Sequence, residues 1–346
     1  DKGYSNFSPK WSPSGKNIAF ISDKGNDYFG QSSLYLYNLE DSSAKKIMYG
    51  VRSKPDWIND SLLVYAKRSD HNKYGSKFFN LYSYDLIEEE ETQLTTDMRL
   101  TSPVYNKNNN SIYAINTYDG TSNIMVGNLD FSSFEQLTDF NNGIQIFSLA
   151  INDSLIVYDA VINHERDLYY FNINNNEFDT LKAKKWDLRN PSFSDDYFVY
   201  SDDKNGIFNL YLEKSFNQGY ITNVEGGAFM PDISNEGKVA FSLYQNGKFS
   251  LCLINQPQII EDSIGYVNNI SSSDFSHVFL KENIQNNYYY RPSSNLLDQS
   301  SNLKSHSYEE KMMGMFFIPR LTLDYNTLKP GVYFFDNEYL DRISIL

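Results

Sequence analysis

The sequence predicts an all-β fold, a six-bladed β-propeller built from four-stranded antiparallel blades, and three observations lead to this prediction. The chain of 346 residues is rich in aromatic residues, with 28 Tyr and 24 Phe, which favours short half-buried strands over helices. One pattern of strands and turns recurs six times, at intervals of about 40 to 48 residues. Each copy contains four short strand-like segments, as a propeller blade does.

The first segment of each copy ends in a residue that we call the blade anchor. The six copies read Pro9-Lys10-Trp11, Pro55-Asp56-Trp57, Pro103-Val104-Tyr105, Ser148-Leu149-Ala150, Pro191-Ser192-Phe193 and Pro231-Asp232-Ile233. We interpret Trp11, Trp57, Tyr105, Phe193 and Ile233 as structural anchors that fill equivalent positions between blades.

The later segments of the repeat keep the same order. In the first copy, the turn Ser14-Gly15 follows the anchor strand and precedes the second strand, at 18–21. The third strand lies at 34–37. A fourth, shorter strand ends in Gln93-Leu94-Thr95, Gln136-Leu137-Thr138 and Tyr220-Ile221-Thr222 in three of the later copies. The Tyr-rich strands are predicted to form core between blades, and a carbohydrate-stacking platform is the alternative interpretation.

The first copy also carries a family resemblance. Trp11-Ser12-Pro13-Ser14-Gly15-Lys16, with Ile18-Ala19-Phe20 after it, resembles the PD40 repeat of TolB-like (WD40-like) propellers. The resemblance covers residues 6–262 and is weakest in copies three and four, where Tyr105 and Ala150 replace the Trp. The same repeat occurs in the propellers of prolyl-oligopeptidase-type peptidases and of tricorn-like proteins, so it implies a fold before it implies a function.

The repeats also define the predicted domains. Residues 1–262 are expected to form the propeller, 263–310 a linker rich in Ser and Asn, and 311–346 a β-strand extension. The blades are expected near 6–50, 51–97, 98–140, 141–184, 185–224 and 225–262. Because stacked repeats bury their apolar faces against one another, the propeller is expected to need nothing from the tail.

The extension has its own pattern. Apolar and polar residues alternate over 320–325, and a second apolar run, 332–335, follows Pro330-Gly331, which we interpret as a turn. This alternation is typical of an outer-membrane barrel strand. The segment resembles the start of the surface-antigen-like outer-membrane β-barrel that some bacterial proteins fuse to a TolB-like propeller. The alternative interpretation is an extra hairpin that packs on the propeller.

The charge excludes two classes of partner. The chain has 44 acidic and 30 basic residues, a net charge of −14, so nucleic acid and anionic membrane surfaces are not expected partners. The run 88–91 of four Glu is interpreted as a solvated edge, with a docking patch for a basic partner as the alternative.

The sequence contains no motif for catalysis. No Gly-x-Ser-x-Gly elbow is present, and His71, His164, His277 and His306 lack the spacing of a metal site. Acidic groups such as Asp23 and Asp27, or the segment 202–206, could offer oxygen ligands to a cation but lack a complete calcium-loop pattern. We predict no catalytic, cofactor-binding or metal-binding residues, no cofactor, and no enzymatic activity.

Three functions fit these observations. The TolB-like resemblance implies a noncatalytic protein-interaction scaffold of the cell envelope. Such a scaffold would lie in the periplasm of a Gram-negative bacterium, possess a channel mouth that binds an envelope protein or peptide, and contact the outer membrane through its extension. The first alternative is the substrate-gating propeller of a prolyl-oligopeptidase-type serine peptidase. The second is a propeller enzyme, a glycosidase or lyase, which requires carboxylates that converge on the channel.

Overall fold

The chain divides into two compact units, Asp1–Asn268 and Asn269–Leu346. The computed structural model describes residues 4–260 and 316–345, apart from 27–30, 71–74, 130–132, 163–164, 195, 205, 216, 325–326 and 338–343. The predicted linker at 263–310 lies outside the described residues.

Each blade of the first unit is one antiparallel sheet whose strands follow one another in the chain. Blade 1 contains β1 (Asn6–Trp11), β2 (Asn17–Ser22), β3 (Ser33–Asn38) and β4 (Ser43–Tyr49). Blade 2 contains β5 (Asp56–Trp57), β6 (Leu62–Arg68), β7 (Phe79–Asp85) and β8 (Glu90–Gln93). Blade 3 contains β9 (Leu100–Asn106), β10 (Ser111–Tyr118), β11 (Thr121–Asn128) and β12 (Phe134–Gln136).

The second half of the ring repeats this arrangement. Blade 4 contains β13 (Gln145–Asn152), β14 (Leu155–Ile162), β15 (Glu165–Asn172) and β16 (Glu177–Lys182). Blade 5 contains β17 (Leu188–Ser194), β18 (Tyr197–Asp202), β19 (Asn209–Lys214) and β20 (Asn217–Tyr220). Within the described residues blade 6 has three strands, β21 (Ala228–Ile233), β22 (Val239–Gln245) and β23 (Lys248–Ile254). The prediction of an all-β, six-bladed propeller is confirmed.

The first strands of the blades form a closed inner ring. Each of them contacts the first strand of the next blade, and β21 contacts β1. Strand β1 also packs against β22 and β23. In the described part of the chain no named strand of one blade is hydrogen bonded into the sheet of another. Among the described residues, the ring therefore closes by packing between blades 6 and 1.

The apolar core is divided among the six junctions between neighbouring blades. Every junction has its own cluster of buried side chains. Tyr65, Tyr113 and Tyr158 are among the largest fully buried side chains, which agrees with the prediction that the Tyr-rich strands form core. Burial of such faces against the next blade is what holds a stack of repeats together.

The repeated Leu-Thr segments have a structural reason. In blade 2, Thr95 Oγ1 accepts a hydrogen bond of 2.9 Å from the backbone N–H of Leu81 and donates one of 3.3 Å to Asn80 Oδ1. The same Asn80 oxygen accepts the N–H of Met98 at 3.1 Å. Thr138 with Asn123, and Thr222 with Asn209, repeat this arrangement in blades 3 and 5. The pair satisfies buried polar groups where the chain leaves one blade for the next.

The second unit is described over a hairpin and a short third strand. Strand β24 (Phe316–Asp324) pairs with β25 (Thr327–Asn337), which also pairs with β26 (Ser344–Ile345). The predicted turn at Pro330-Gly331 was wrong, because both residues lie inside β25, opposite Leu321 and Arg320. The interpretation of this hairpin as the start of an outer-membrane barrel stays a prediction.

Candidate functional site

A cavity of about 430 Å³ lies at one end of the channel and is lined by all six blades. Its walls come from the ends of the first strands and from the turns that follow them. All five predicted anchors, Trp11, Trp57, Tyr105, Phe193 and Ile233, line this cavity, and so does Ala150. We call it the mouth cavity.

The two Trp anchors bind across blade junctions. The indole N–H of Trp11 donates to the backbone oxygen of Asp232 in blade 6, and that of Trp57 donates to the backbone oxygen of Lys10 in blade 1, both at 3.2 Å. Each Trp is 4% exposed. Ile233 is also buried, whereas Tyr105 and Phe193 are half-buried. The anchor position is therefore deepest in blades 1, 2 and 6, and its energetic role stays a prediction.

Four charged side chains meet at the base of the mouth cavity, and we call them the ionic cluster. The ammonium of Lys10 lies 3.4 Å from Asp56 Oδ1 and 3.3 Å from Asp232 Oδ1. Lys54 donates to the same Asp232 oxygen at 3.0 Å. Because Lys54 belongs to the segment that enters blade 2 and Asp232 to blade 6, this bond joins two blades that are not neighbours. The cluster thus ties blades 6, 1 and 2 together.

Asp232 is the centre of the ionic cluster. Its Oδ2 accepts the backbone N–H of Trp11 at 2.8 Å, and its Oδ1 also accepts the hydroxyl of Ser192 at 3.0 Å. Asp56 repeats the first of these contacts, since its Oδ2 accepts the N–H of Tyr105 at 2.8 Å. Both carboxylates therefore bind the anchor N–H of the following blade, which pairs a buried donor with a charged acceptor.

The cluster shifts the pKa values of Asp232, Lys10 and Lys54. Burial raises the pKa of Asp232, but Lys10 and Lys54 outweigh it and hold that pKa below its usual range. Burial lowers the pKa of Lys10, but Asp232 and Asp56 outweigh it and hold that pKa above its usual range. For Lys54, burial and the neighbouring Lys10 together lower the pKa despite the attraction of Asp232. Of these three side chains, Lys54 is therefore the one whose charged form is disfavoured by its surroundings.

The wall of the mouth cavity has two chemically different sides. The residue before the anchor is polar or charged in blades 5, 6, 1 and 2, where it is Ser192, Asp232, Lys10 and Asp56, respectively. It is apolar in the other two blades, Val104 in blade 3 and Leu149 in blade 4. One side of the cavity therefore offers ions and a hydroxyl, and the other offers apolar surface. A cavity of this size with a few convergent polar groups is typical of a ligand site.

Hydrogen bonds between neighbouring turns fix the rim of the mouth cavity. The N–H of Ser14 donates to Asp60 Oδ1 at 2.9 Å, which joins blade 1 to blade 2. The Asn106 amide donates to the backbone oxygen of Asp153 at 2.7 Å, which joins blade 3 to blade 4. The Ser194 hydroxyl donates to Asn235 Oδ1 at 2.9 Å, which joins blade 5 to blade 6. The rim is thus organised before any ligand arrives.

The remaining sequence candidates have other roles or lie outside the described residues. His71, His164, His277, His306 and Asp27 lie outside them. In the described ranges no group of three or more His, Cys, Asp and Glu is placed to hold a metal ion. Asp202 accepts hydrogen bonds from the Tyr220 hydroxyl and from the N–H of Lys204, both at 2.8 Å. Its segment is the β18–β19 turn.

Two of the four acids in the run 88–91 have basic partners. Glu89 pairs with Lys45 at 2.6 Å and Glu91 pairs with Lys67 at 2.5 Å, while Glu88 and Glu90 are exposed. Glu91 also accepts the Tyr65 hydroxyl at 2.6 Å. The run therefore contributes to the edge of blade 2.

The described part of the chain contains no helix with the length and apolar character needed to cross a membrane.

Sequence reasoning identified the anchors but missed the ionic cluster. The signal was present in the residues before the anchors, because Lys10, Asp56 and Asp232 occupy one repeat position beside Trp or Ile. Charged residues in a strand next to a buried anchor indicate a polar pairing inside the fold. Lys54 could not be found in this way, since its bond crosses the channel.

The comparisons with known proteins identify the class and then the family. The TolB beta propeller domain model, PD40, matches residues 1–197, which is more than half of the chain. The protein is therefore a β-propeller and belongs to the TolB-type PD40 family. No curated protein sequence matches the chain.

Solved structures of low sequence identity share the fold. TolB from Acinetobacter baumannii is 18% identical with a TM-score of 0.52, and the match covers 66% of this chain and 56% of that one. The propeller domain of the Trilobed protease from Pyrococcus furiosus is 18% identical with a TM-score of 0.50, over 74% and 82%. Pyrococcus horikoshii acylaminoacyl peptidase is 13% identical with a TM-score of 0.51, over 96% and 50%. The chain thus spans about half of that TolB and of that peptidase.

Proposed function

We propose that this protein is a noncatalytic protein-interaction scaffold of the cell envelope, in the periplasm of a Gram-negative bacterium, and that its mouth cavity binds a segment of an envelope protein. The observation that carries the proposal is the mouth cavity itself, which six blades line with ions on one side and Val104 and Leu149 on the other. This mixture fits an extended peptide that presents an apolar side chain beside polar groups.

The chemistry of the cluster supports binding and not turnover. A general base needs a carboxylate that is free to take a proton. Asp232 instead accepts hydrogen bonds from Trp11, Ser192 and Lys54. Asp56 is bound by Lys10 and by Tyr105. Both carboxylates are engaged in bonds within the protein. The mouth cavity would therefore recognise a ligand by its shape and charge.

The test selects peptides from a random library on the immobilised protein and measures their affinity for variants. Lys107 is an exposed residue of the mouth cavity, so Lys107→Glu should weaken selected peptides by about tenfold, the effect of losing a charged contact. The matched control is Lys46→Glu, at an exposed residue of the outer strand β4, which should leave affinity unchanged. Peptides that bind both variants like the unsubstituted protein would contradict the proposal.

The hairpin of the second unit supports an association with the outer membrane. Phe316, Phe317 and Leu321 are each at least two-thirds exposed, at 67, 70 and 68%. An exposed apolar surface of this kind marks a contact with lipid or protein. Flotation of the full chain with outer-membrane vesicles should require these residues, and loss of flotation in Phe317→Ser with Leu321→Ser is the expected result.

A substrate-gating propeller is the second candidate, because the fold is shared with acylaminoacyl peptidase. This candidate predicts that the gene continues into a hydrolase domain with a Gly-x-Ser-x-Gly motif. The reading frame beyond Leu346 decides between the two: a hydrolase domain would replace the scaffold proposal.

A further inference from the structure

The five arginines of residues 4–260 all lie at the end of the propeller opposite the mouth cavity. Each is near the start of a first or third strand, or at the end of a second strand: Arg52, Arg68, Arg99, Arg166 and Arg189. In an antiparallel blade these points lie together at one end, whereas the mouth cavity is lined by the ends of the first strands. We call this end of the propeller the arginine face.

Two of these arginines are neutralised within the fold, and three are not. Arg166 pairs with Asp159, and Arg189 pairs with Asp187 at 2.5 Å. The other three side chains are exposed and make no ion pair and no side-chain hydrogen bond among the described residues: Arg52, Arg68 and Arg99. These three belong to blades 2 and 3 and to the segments that lead into them. This part of the arginine face therefore presents guanidinium donors without acceptors.

Aromatic rings hold two of the three unpaired guanidinium groups. The guanidinium carbon of Arg99 lies 4.3 Å from the ring centroid of Phe78 and 5.7 Å from that of Tyr118. The guanidinium carbon of Arg68 lies 5.3 Å from the ring centroid of Phe79, its partner across β6 and β7. Stacking of this kind occupies the flat face of a guanidinium and leaves its N–H edge for an oxyanion. The two cations are thus positioned before a ligand arrives.

The surroundings decide which oxyanion fits. Asp70, Asp97 and Asp119 are exposed in the same turns, and in the described part of the chain none of them is within ion-pairing distance of an arginine. An extended anionic surface would be repelled by these acids and by the net charge of −14. A short segment with one or two carboxylates avoids this repulsion. Tyr118, which is 66% exposed, offers an apolar ring beside Arg99, and Arg and aromatic residues are enriched in interface hot spots.

We propose that the arginine face binds an acidic segment of a partner protein. An Asp or Glu carboxylate of the segment accepts two parallel hydrogen bonds from Arg99, a second carboxylate meets Arg68, and an apolar side chain packs on Tyr118. Arg52 adds to the local positive potential. This surface is at the other end of the propeller from the mouth cavity, so it is independent of the peptide binding proposed there.

The experiment titrates the full chain with a fluorescently labelled pentapeptide of alternating Glu and Phe, with both termini blocked. Fluorescence anisotropy measures its affinity at low ionic strength, where exposed charges are least screened. The control probe is the same peptide with Gln in place of each Glu, which has nearly the same shape but no charge. The neutral peptide should bind at least about tenfold more weakly, because it lacks the charge-assisted bonds to arginine.

Substitutions at Arg99 separate its charge from its shape. The φ of Arg99 is 53°, and Asn tolerates this left-handed conformation better than most residues. Arg99→Asn should therefore fold normally and bind the acidic peptide about tenfold more weakly. Arg99→Lys keeps the charge but loses the planar fork, so it should bind about threefold more weakly. The matched control is Lys46→Gln, because Lys46 also lies over an exposed ring, 5.4 Å from that of Tyr49, but on the outer strand β4. It should leave the affinity unchanged.

A chemical footprint locates the bound peptide. Phenylglyoxal modifies accessible guanidinium groups, and mass spectrometry gives the rate at each arginine. The acidic peptide should slow the modification of Arg99 and Arg68 and leave the rate at Arg189 unchanged. Arg99→Asn should not alter the affinity of library peptides for the mouth cavity, so failure of this proposal and failure of the proposed function are distinguishable.

Four results would overturn the proposal. Equal affinity for the acidic and the neutral peptide would remove the role of the carboxylates. Equal affinity of Arg99→Asn and the unsubstituted protein, or no binding of the acidic peptide at millimolar concentration, would refute the site. Vesicles of phosphatidylglycerol that bind through Arg99 while the peptide does not would make the arginine face a lipid-binding surface instead.

Discussion

The junction between blades 6 and 1 and the junction between blades 3 and 4 solve the same packing problem with different chemistry. The core between blades 3 and 4 contains ten buried side chains, among them Ile115, Leu149 and Tyr158. Among the described residues, the core between blades 6 and 1 contains three, Trp11, Ile18 and Ala240. The closing junction adds instead the bonds of Asp232 to Lys10, Lys54 and the N–H of Trp11.

Among the described residues, directional bonds are therefore added at the junction whose apolar core is smallest. Apolar contact is not directional, so a small core leaves the relative position of two blades poorly specified. The ionic cluster restores a unique geometry, since each of its bonds requires a particular distance and donor. Four experiments test whether the ionic cluster closes the ring, in order of decreasing effect.

The first prediction removes the main side chain of the closing junction. Trp11→Ala should lower the free energy of unfolding by about 4 kcal/mol, because it deletes both a buried aromatic side chain and the indole donor to Asp232. Trp11→Phe keeps most of the apolar area and should cost about 1–2 kcal/mol. Urea denaturation measures both. A loss below about 1 kcal/mol for Trp11→Ala would show that Trp11 is not an anchor.

The second prediction removes the centre of the ionic cluster. Asp232→Asn should cost about 3 kcal/mol at pH 7, because it leaves two half-buried lysines with one fewer counter-charge. The folded pKa of Asp232 lies below the unfolded value, so its contribution is full above the unfolded pKa, near 4, and is lost as pH falls through the folded pKa. The difference from the unsubstituted protein should therefore shrink below about pH 4.

The control for this titration lies in the apolar junction. Leu149→Ala should cost about 2–4 kcal/mol through lost packing, and that cost should not vary with pH because no titratable group is removed. Denaturation curves for both variants from pH 7 down to the acid limit of the native state give the comparison. A pH-independent cost for Asp232→Asn would mean that the charge of Asp232 does not hold the closing junction.

The third prediction separates the two lysines of the cluster. Lys54→Met should cost less than about 1 kcal/mol, because Lys10 still neutralises Asp232 and an ammonium of lowered pKa is removed. Lys10→Met should cost about 2–3 kcal/mol, because it removes the ammonium that pairs directly with Asp56 and leaves only the more distant Lys54. The reverse order in denaturation would show that the bond across the channel, and not the bond between neighbours, closes the ring.

The pH dependence of the Lys54 variant follows from the same shift. The folded pKa of Lys54 is below its unfolded value, so the unfolded chain binds more protons between these two values and the stability of the unsubstituted protein rises with pH there. Lys54→Met should lack this rise. Unfolding measured across the alkaline range gives the slope for each protein.

Sequence reasoning predicted most of the fold and little of the site. The anchor Trp11, the turn Ser14-Gly15 and the strand at 18–21 could be found because they repeat at fixed order, and β2 follows that turn as expected. The repeat pattern identified the Thr95 segment but not Asn80, the hydrogen-bond partner of Thr95, because the two residues are apart in the sequence and meet only in the folded chain.

The tail shows the other limit of sequence reasoning. The alternation over 320–325 correctly indicated a strand, now β24. Pro330-Gly331 indicated a turn, but both residues lie within β25, opposite Leu321 and Arg320. Local composition thus located the strands but not the point where the chain reverses.

The last prediction, with the smallest expected effect, concerns the second unit. The packing of β1 against β21, β22 and β23 indicates that the blades of the first unit close the ring by themselves. Deleting residues 269–346 should therefore change the melting temperature of the first unit by less than about 2 °C. The deletion also removes Phe316, Phe317 and Leu321, whose exposed apolar side chains favour self-association. Light scattering at a fixed protein concentration, without detergent, should show less aggregation for the shorter protein. A melting temperature more than about 5 °C lower, which corresponds to roughly 1–2 kcal/mol or more at this size, would mean that the second unit helps to hold the propeller closed. The ionic cluster would then be only one of the interactions that close the ring.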